Sequence, residues 1–148
     1  MAKFPEPKAG LVISHAYLWS DESAKGQVEG RKDRPCAIIL VVEQKDLRGQ
    51  KHKQVAVAPI THSYPYDLKS AIEIPLLVKQ HLGLDGERSW IVLNEINEFV
   101  WPGFDLRPVK GDDSRVDYGY LPPHFFEAVI EKFTKLQEAG EVERTSRD

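Results

Sequence analysis

A chain of 148 residues, 41% of them hydrophobic, is long enough to bury one sizeable core, and its length favours a single domain over two. No stretch approaches the roughly 18 to 20 apolar residues that a helix needs to cross a bilayer, and Lys3, Pro5, Pro7 and Lys8 precede the first apolar run, so a soluble, non-exported protein is expected. The formal net charge of −3 argues against non-specific coating of nucleic acid, and the single cysteine, Cys36, has no partner for an intramolecular disulfide.

A reducing cytoplasm, no membrane association, no cofactor and no metal are expected, because metal sites need clusters of ligands that the sequence does not show. The charge is unevenly spread. Residues 25–53 hold eight Lys or Arg against four Asp or Glu, a local +4, whereas 84–113 hold three against seven, a local −4. Such asymmetry marks either an anion-binding face or ordinary solvated loops.

In chain order, Leu11, Val12 and Ile13 begin a first strand. Polar residues 20–33, with Gly26 and Gly30, read as a long mobile loop. The run at 36–42 is continuous, apolar and rich in β-branched residues, as a buried strand requires. Residues 43–53, charged and carrying Gly49, form a hairpin-like connection into a second core strand at 55–60. Residues 71–74 alternate apolar and charged over a short strand, 76–84 make a short helical turn stopped at Gly83, and 89–93 form the next buried strand. Phe99, Val100 and Trp101 end at the Pro102-Gly103 turn, after which an irregular stretch reaches Pro123.

The last element is an amphipathic helix. Phe125, Phe126, Val129, Ile130, Phe133 and Leu136 recur at spacings of one, three and four, between Pro122-Pro123 and Gly140. Residues 141–148 read as a polar, frayed tail, leaving a core of about 10–140 within one domain spanning 1–148. Short strands without long intervening helices, closed by a terminal helix, predict a mainly β fold: a small barrel or strongly bent sheet with a C-terminal α-helix and one short additional helix.

Chemistry is expected where strands end. Arg34 opens the run at 36–42 and the pair Thr61-His62 closes the next, so antiparallel pairing brings them to one sheet edge. A planar, permanently charged guanidinium together with a hydroxyl is well suited to a phosphate. Glu29, five residues before Arg34, is a candidate general base, and His62 a second candidate for proton transfer. The plainer alternatives are an arginine ion-paired to Asp33 or Glu43, a threonine capping a turn and an exposed turn histidine.

The ordered set Arg34-Pro35-Cys36-Ala37-Ile38-Ile39-Leu40, Val57-Ala58-Pro59-Ile60-Thr61-His62, Ile72-Glu73-Ile74-Pro75, Gly83-Leu84, Ser89-Trp90-Ile91-Val92 and Gly119-Tyr120-Leu121 resembles the MazF/PemK toxin family over roughly residues 10–136. The resemblance implies an SH3-like barrel, a homodimer and a metal-independent, growth-inhibiting endoribonuclease that cuts single-stranded RNA and is inhibited by a small antitoxin protein. It gives Arg34 the family's catalytic arginine position, Thr61 the phosphate-binding hydroxyl and Glu29 the base, and assigns His62 no role. Lys32, His62, Ser63 and Asn94 flank these positions as candidate RNA contacts. The competing expectation is a non-catalytic barrel in which Tyr64, Tyr66, Trp90 and Trp101 form a groove for a peptide or protein.

Overall fold

An unbroken apolar run leaves neither face of a strand to water, and the central strands are built that way. In the computed structural model, which describes residues 4–26 and 32–147, β1 (Leu11–His15) pairs antiparallel with β2 (Arg34–Lys45), and β2 with β3 (Lys51–Thr61). Period-two alternation sends Ala37, Ile39, Ala56 and Ala58 into one apolar cluster and Cys36, Ile38, Val55 and Val57 into another. The charged connection is shorter than its composition suggests, because the two strands extend through it and leave only residues 46–50 for the turn.

Three α-helices are described: α1 (Ser20–Ala24), α2 (Leu76–Leu82) and α3 (Pro123–Glu138). Val129, Phe133 and Leu136 of α3, together with Val78 and Leu82 of α2, join the cluster of Ala37 and Ile39. Full burial of apolar side chains of this size stabilises by about 1.5–3 kcal/mol each. Leu11, Ile13, Tyr17, Phe99 and Leu106 complete the other cluster. Gly83, at φ 70°, takes the left-handed conformation that ends α2 where the sequence places the stop.

Along its other edge β3 changes partner. Residues Gln54 to Val57 pair with β6 (Glu95–Val100), and Ile60 and Thr61 pair with β5 (Trp90–Val92), which in turn pairs with β4 (Ala71–Glu73). Pro59, with no N–H to give, stands in the gap between these ladders. β7 (Asp117–Tyr120) takes the free edge of β1, and β8 (Glu143–Ser146) runs parallel to β6. The fold is mainly β, and among the described residues the strand pairings form an open path from β4 to β7 rather than a closed ring.

Three segments differ from the sequence expectation. The stretch at 20–33 begins with α1, whose first turn is set by the Glu22 carboxylate accepting from the Trp19 N–H at 3.1 Å. The irregular stretch before Pro123 contains β7. The polar tail does not fray: it forms β8, where Thr145 is buried, and Arg147 beyond it makes a two-point ion pair with buried Asp105 at 2.8 and 3.2 Å.

Candidate active site at the β2 and β3 strand ends

Antiparallel pairing makes the start of one strand the neighbour of the end of the next, and here Cys36 lies opposite Pro59 and Ala37 opposite Ala58. Continued by two residues, that register sets Arg34 beside Thr61. Both line a cleft of about 360 Å³, together with Trp19, His62, Lys79 and Asp85.

The Arg34 guanidinium carbon lies 5.1 Å from the centroid of the Trp19 ring, and its Nη1 donates to the Ile60 carbonyl at 3.5 Å. Its Nε is buried and makes no hydrogen bond among the described residues. A cation packed on an aromatic face, with N–H groups short of acceptors, is suited to an incoming oxyanion.

Trp19 itself is positioned from β6. The Asn97 carboxamide accepts from the Leu18 N–H at 3.0 Å and donates to the Leu18 carbonyl at 2.8 Å. Glu95 accepts from the Ser20 N–H at 2.9 Å, the Ser20 hydroxyl at 3.2 Å and the Tyr17 hydroxyl at 3.0 Å. Both backbone neighbours of Trp19 are thereby fixed.

Thr61 does cap a turn, its hydroxyl oxygen accepting from the Ser63 N–H at 3.1 Å. That bond leaves the hydroxyl proton for a ligand in the cleft. His62 is gripped by carboxylates on both ring nitrogens, with Nε2 at 2.9 Å from Asp85 and Nδ1 at 3.3 Å from Glu87. Beneath them Lys79, 2% exposed, donates to Asp85 at 2.7 Å, to the Ser89 hydroxyl at 2.8 Å and to the Glu87 carbonyl. The Lys79 ammonium, helped by the Glu87 N–H and by His62, holds the Asp85 carboxyl below its usual pKa against the opposing effect of burial.

No known protein family, curated protein or solved structure matches this chain. Its site rests on its own geometry.

Arg34, Thr61, His62, Ser63 and Lys32 all line the cleft, as their positions in the sequence suggest. Asn94 lies in an adjoining hollow that shares Thr61 and Ser63 with the cleft. Glu29 lies outside the described residues. Arg34 has no ion pair to Asp33 or Glu43 among the described residues; Asp33 faces Arg107 at 3.8 Å and Glu43 faces Lys51 at 3.7 Å.

Sequence reasoning missed Trp19, Lys79 and Asp85 as parts of the cleft. A signal existed for Lys79: Val78, Lys79 and Leu82 share one side of a short helix, and a lysine on the buried side of a helix needs an acceptor, which Asp85 supplies six residues on. It also missed a cluster of ligand-type residues, since the fold brings donor atoms of His62, Asp85 and Glu87 within 4.8 Å of one another. All three are exposed, and the Lys79 ammonium donates to one Asp85 oxygen at 2.7 Å.

The four aromatics expected to form one groove do not share a surface. Trp90 is 4% exposed beneath Tyr64, their ring centroids 5.3 Å apart, and Trp101 stacks on Phe99 at 6.3 Å while its indole N–H donates to the Pro5 carbonyl.

Proposed function

We propose that the protein is an endoribonuclease of the MazF/PemK type, cleaving single-stranded RNA by attack of a ribose 2′-hydroxyl on the adjacent phosphorus. The observation that carries this reading is the pairing of Arg34, with buried N–H capacity to spare, beside the Thr61 hydroxyl at the floor of one cleft. The new bond joins O2′ to phosphorus and the bond to O5′ breaks, giving a 2′,3′-cyclic phosphate and a free 5′-hydroxyl. One proton leaves O2′ and one is delivered to O5′.

Negative charge grows on the non-bridging oxygens as the phosphorus becomes five-coordinate. The Arg34 guanidinium and the Thr61 hydroxyl are the donors placed to meet that charge, and fixed donors of this kind are typically worth 10²–10³ in rate. His62, both of whose ring nitrogens are taken by Asp85 and Glu87, lines the cleft as an RNA contact rather than as a proton-transfer group. Glu29 is the base suggested by the sequence resemblance. A homodimer, a small protein inhibitor and a cytoplasmic setting belong to the same proposal and rest on that resemblance; among the described residues no helix is long and apolar enough to cross a membrane.

The test is incubation of the purified protein with single-stranded RNA in excess chelator, followed by mapping of the product ends. Cyclic phosphate and 5′-hydroxyl ends, lost in Arg34→Ala with the circular dichroism spectrum unchanged, are expected. Intact RNA across varied sequences would overturn the proposal.

A further inference from the structure

Arg34 carries the charge of the cleft but is lightly held. Among the described residues its guanidinium makes one long hydrogen bond, from Nη1 to the Ile60 carbonyl at 3.5 Å, and its buried Nε has no acceptor. What else holds it is the Trp19 ring, 5.1 Å from the guanidinium carbon. A carboxylate partner would take up two N–H groups and cancel the charge. An aromatic face does neither: it holds the guanidinium plane through the ring quadrupole and leaves the N–H groups around its edge free.

The indole is held far more firmly than the arginine. Tyr17, 1% exposed, meets it edge to face at 5.1 Å, and the hydroxyl of the same tyrosine donates to Glu95 at 3.0 Å. Glu95 also accepts from the Ser20 N–H and hydroxyl, while Asn97 accepts from the Leu18 N–H and donates to the Leu18 carbonyl. The Asn97 carboxamide stands one way round only, because reversal would set its amino group against the Leu18 N–H. Its oxygen then also takes the His15 Nε2–H at 3.2 Å. Neither Glu95 nor Asn97 lines the cleft or the two hollows that share Trp19 with it.

We propose that Trp19 is a positioning residue for Arg34, and that Glu95 and Asn97, which do not meet the RNA, act on the phosphate through it. The inference rests on the ribonuclease reading of the cleft. The β2 register fixes the Arg34 backbone and leaves its long side chain many rotamers; the indole selects the one that lines the cleft. Donors fixed before charge develops need not reorganise as the phosphorus becomes five-coordinate. Loss of the indole therefore lowers the rate of the bound complex, whereas loss of a mere contact to RNA would weaken binding.

Single-turnover cleavage by the full chain is measured over a range of RNA concentrations. Trp19→Leu, apolar without an aromatic face, and Glu95→Ala, remote from the RNA, are each expected to slow the saturated rate about tenfold, the scale of a partly desolvated cation–π contact, with half-saturation moving less than about twofold. Trp19→Phe and Glu95→Gln, which give back a ring and an acceptor, recover most of that loss. Equal slowing by Trp19→Leu and Trp19→Phe, undiminished rates in Trp19→Leu and Glu95→Ala, or a shift confined to half-saturation would overturn the proposal and leave the nuclease standing.

A second measurement needs no cleavage. In protein carrying isotopically labelled arginine, nuclear magnetic resonance should show one Nε–H signal, absent from Arg34→Lys, that is displaced by the indole ring current and slow to exchange with water. In Trp19→Leu it should move to the region of the other arginines; a signal that stays in place would overturn the proposal. If the signal moves as stated while RNA is never cut, the nuclease falls and the indole still positions Arg34 for an anion.

Discussion

His15 ought to make this protein sensitive to mild acid, and the size of the effect follows from its surroundings. The ring is fully buried on β1, stacked on Phe99 at 5.0 Å, with Nε2 on the Asn97 carboxamide oxygen at 3.2 Å and Nδ1 without a partner among the described residues. Burial pushes its pKa from 6.5 down to about 4, with Arg147 and Arg107 adding to the effect and the Asn97 bond and Asp105 opposing it. Below pH 6.5 the unfolded chain takes up a proton that the native protein refuses until about pH 4. The stability this group contributes is thus complete above pH 6.5 and is lost as the pH falls toward 4. At about 1.4 kcal/mol per pH unit, the full loss is about 3 kcal/mol.

The measurement is urea unfolding of the wild type and His15→Phe at neutral pH and near pH 4.5. Phenylalanine keeps a ring against Phe99 and cannot titrate; it gives up one hydrogen bond, a cost of about 1 kcal/mol at neutral pH. Between the two conditions the wild type should lose about 2–3 kcal/mol more than the variant. Carboxylates such as Asp85 titrate in both proteins, so their contribution cancels in the comparison. Parallel losses in the two proteins would refute the assignment of acid sensitivity to His15.

Lys79→Met removes an ammonium that satisfies three acceptors and returns a side chain of similar length; unfolding by urea should show a loss of about 2–3 kcal/mol, since a hydrogen bond to a charged group contributes about 1.5–3 kcal/mol and relief of the buried charge offsets part of the sum. Arg147→Ala leaves Asp105 charged and buried, and thermal unfolding should report about 3–5 kcal/mol of destabilisation, far more than a frayed tail would register. Thr61→Val keeps the shape at the strand end and removes the hydroxyl; single-turnover cleavage should slow by about 10²–10³ while the urea midpoint moves little.

Elements held by local pattern were legible in the sequence. The run at 36–42 is apolar on both faces because both faces are covered, and α3 carries a helical repeat of apolar residues ending at a glycine. The closeness of Arg34 and Thr61 was legible too, because a short hairpin ties the end of one strand to the start of the next. β8 was not. Its residues Glu143, Arg144, Thr145 and Ser146 show no apolar alternation, and what secures the segment is pairing with β6 and the reach of Arg147 to Asp105, 42 positions away. β7 likewise exists through β1, and its Gly119, at φ 102°, gives no strand signal of its own. In the site, the grip of Asp85 and Glu87 on His62 depends on α2 delivering Lys79 beneath them, a relation that spacing alone does not express.

The grip of Asn97 and Glu95 on the residues either side of Trp19 bears on how this chain can vary. The tryptophan that covers Arg34 owes its place to two side chains of β6, 75 and 79 positions from their partners, and Arg34 owes its own place to pairing with β1 and β3. The indole and the guanidinium are therefore moored independently of each other, and replacing Asn97 or Glu95 releases the indole while Arg34 keeps its register.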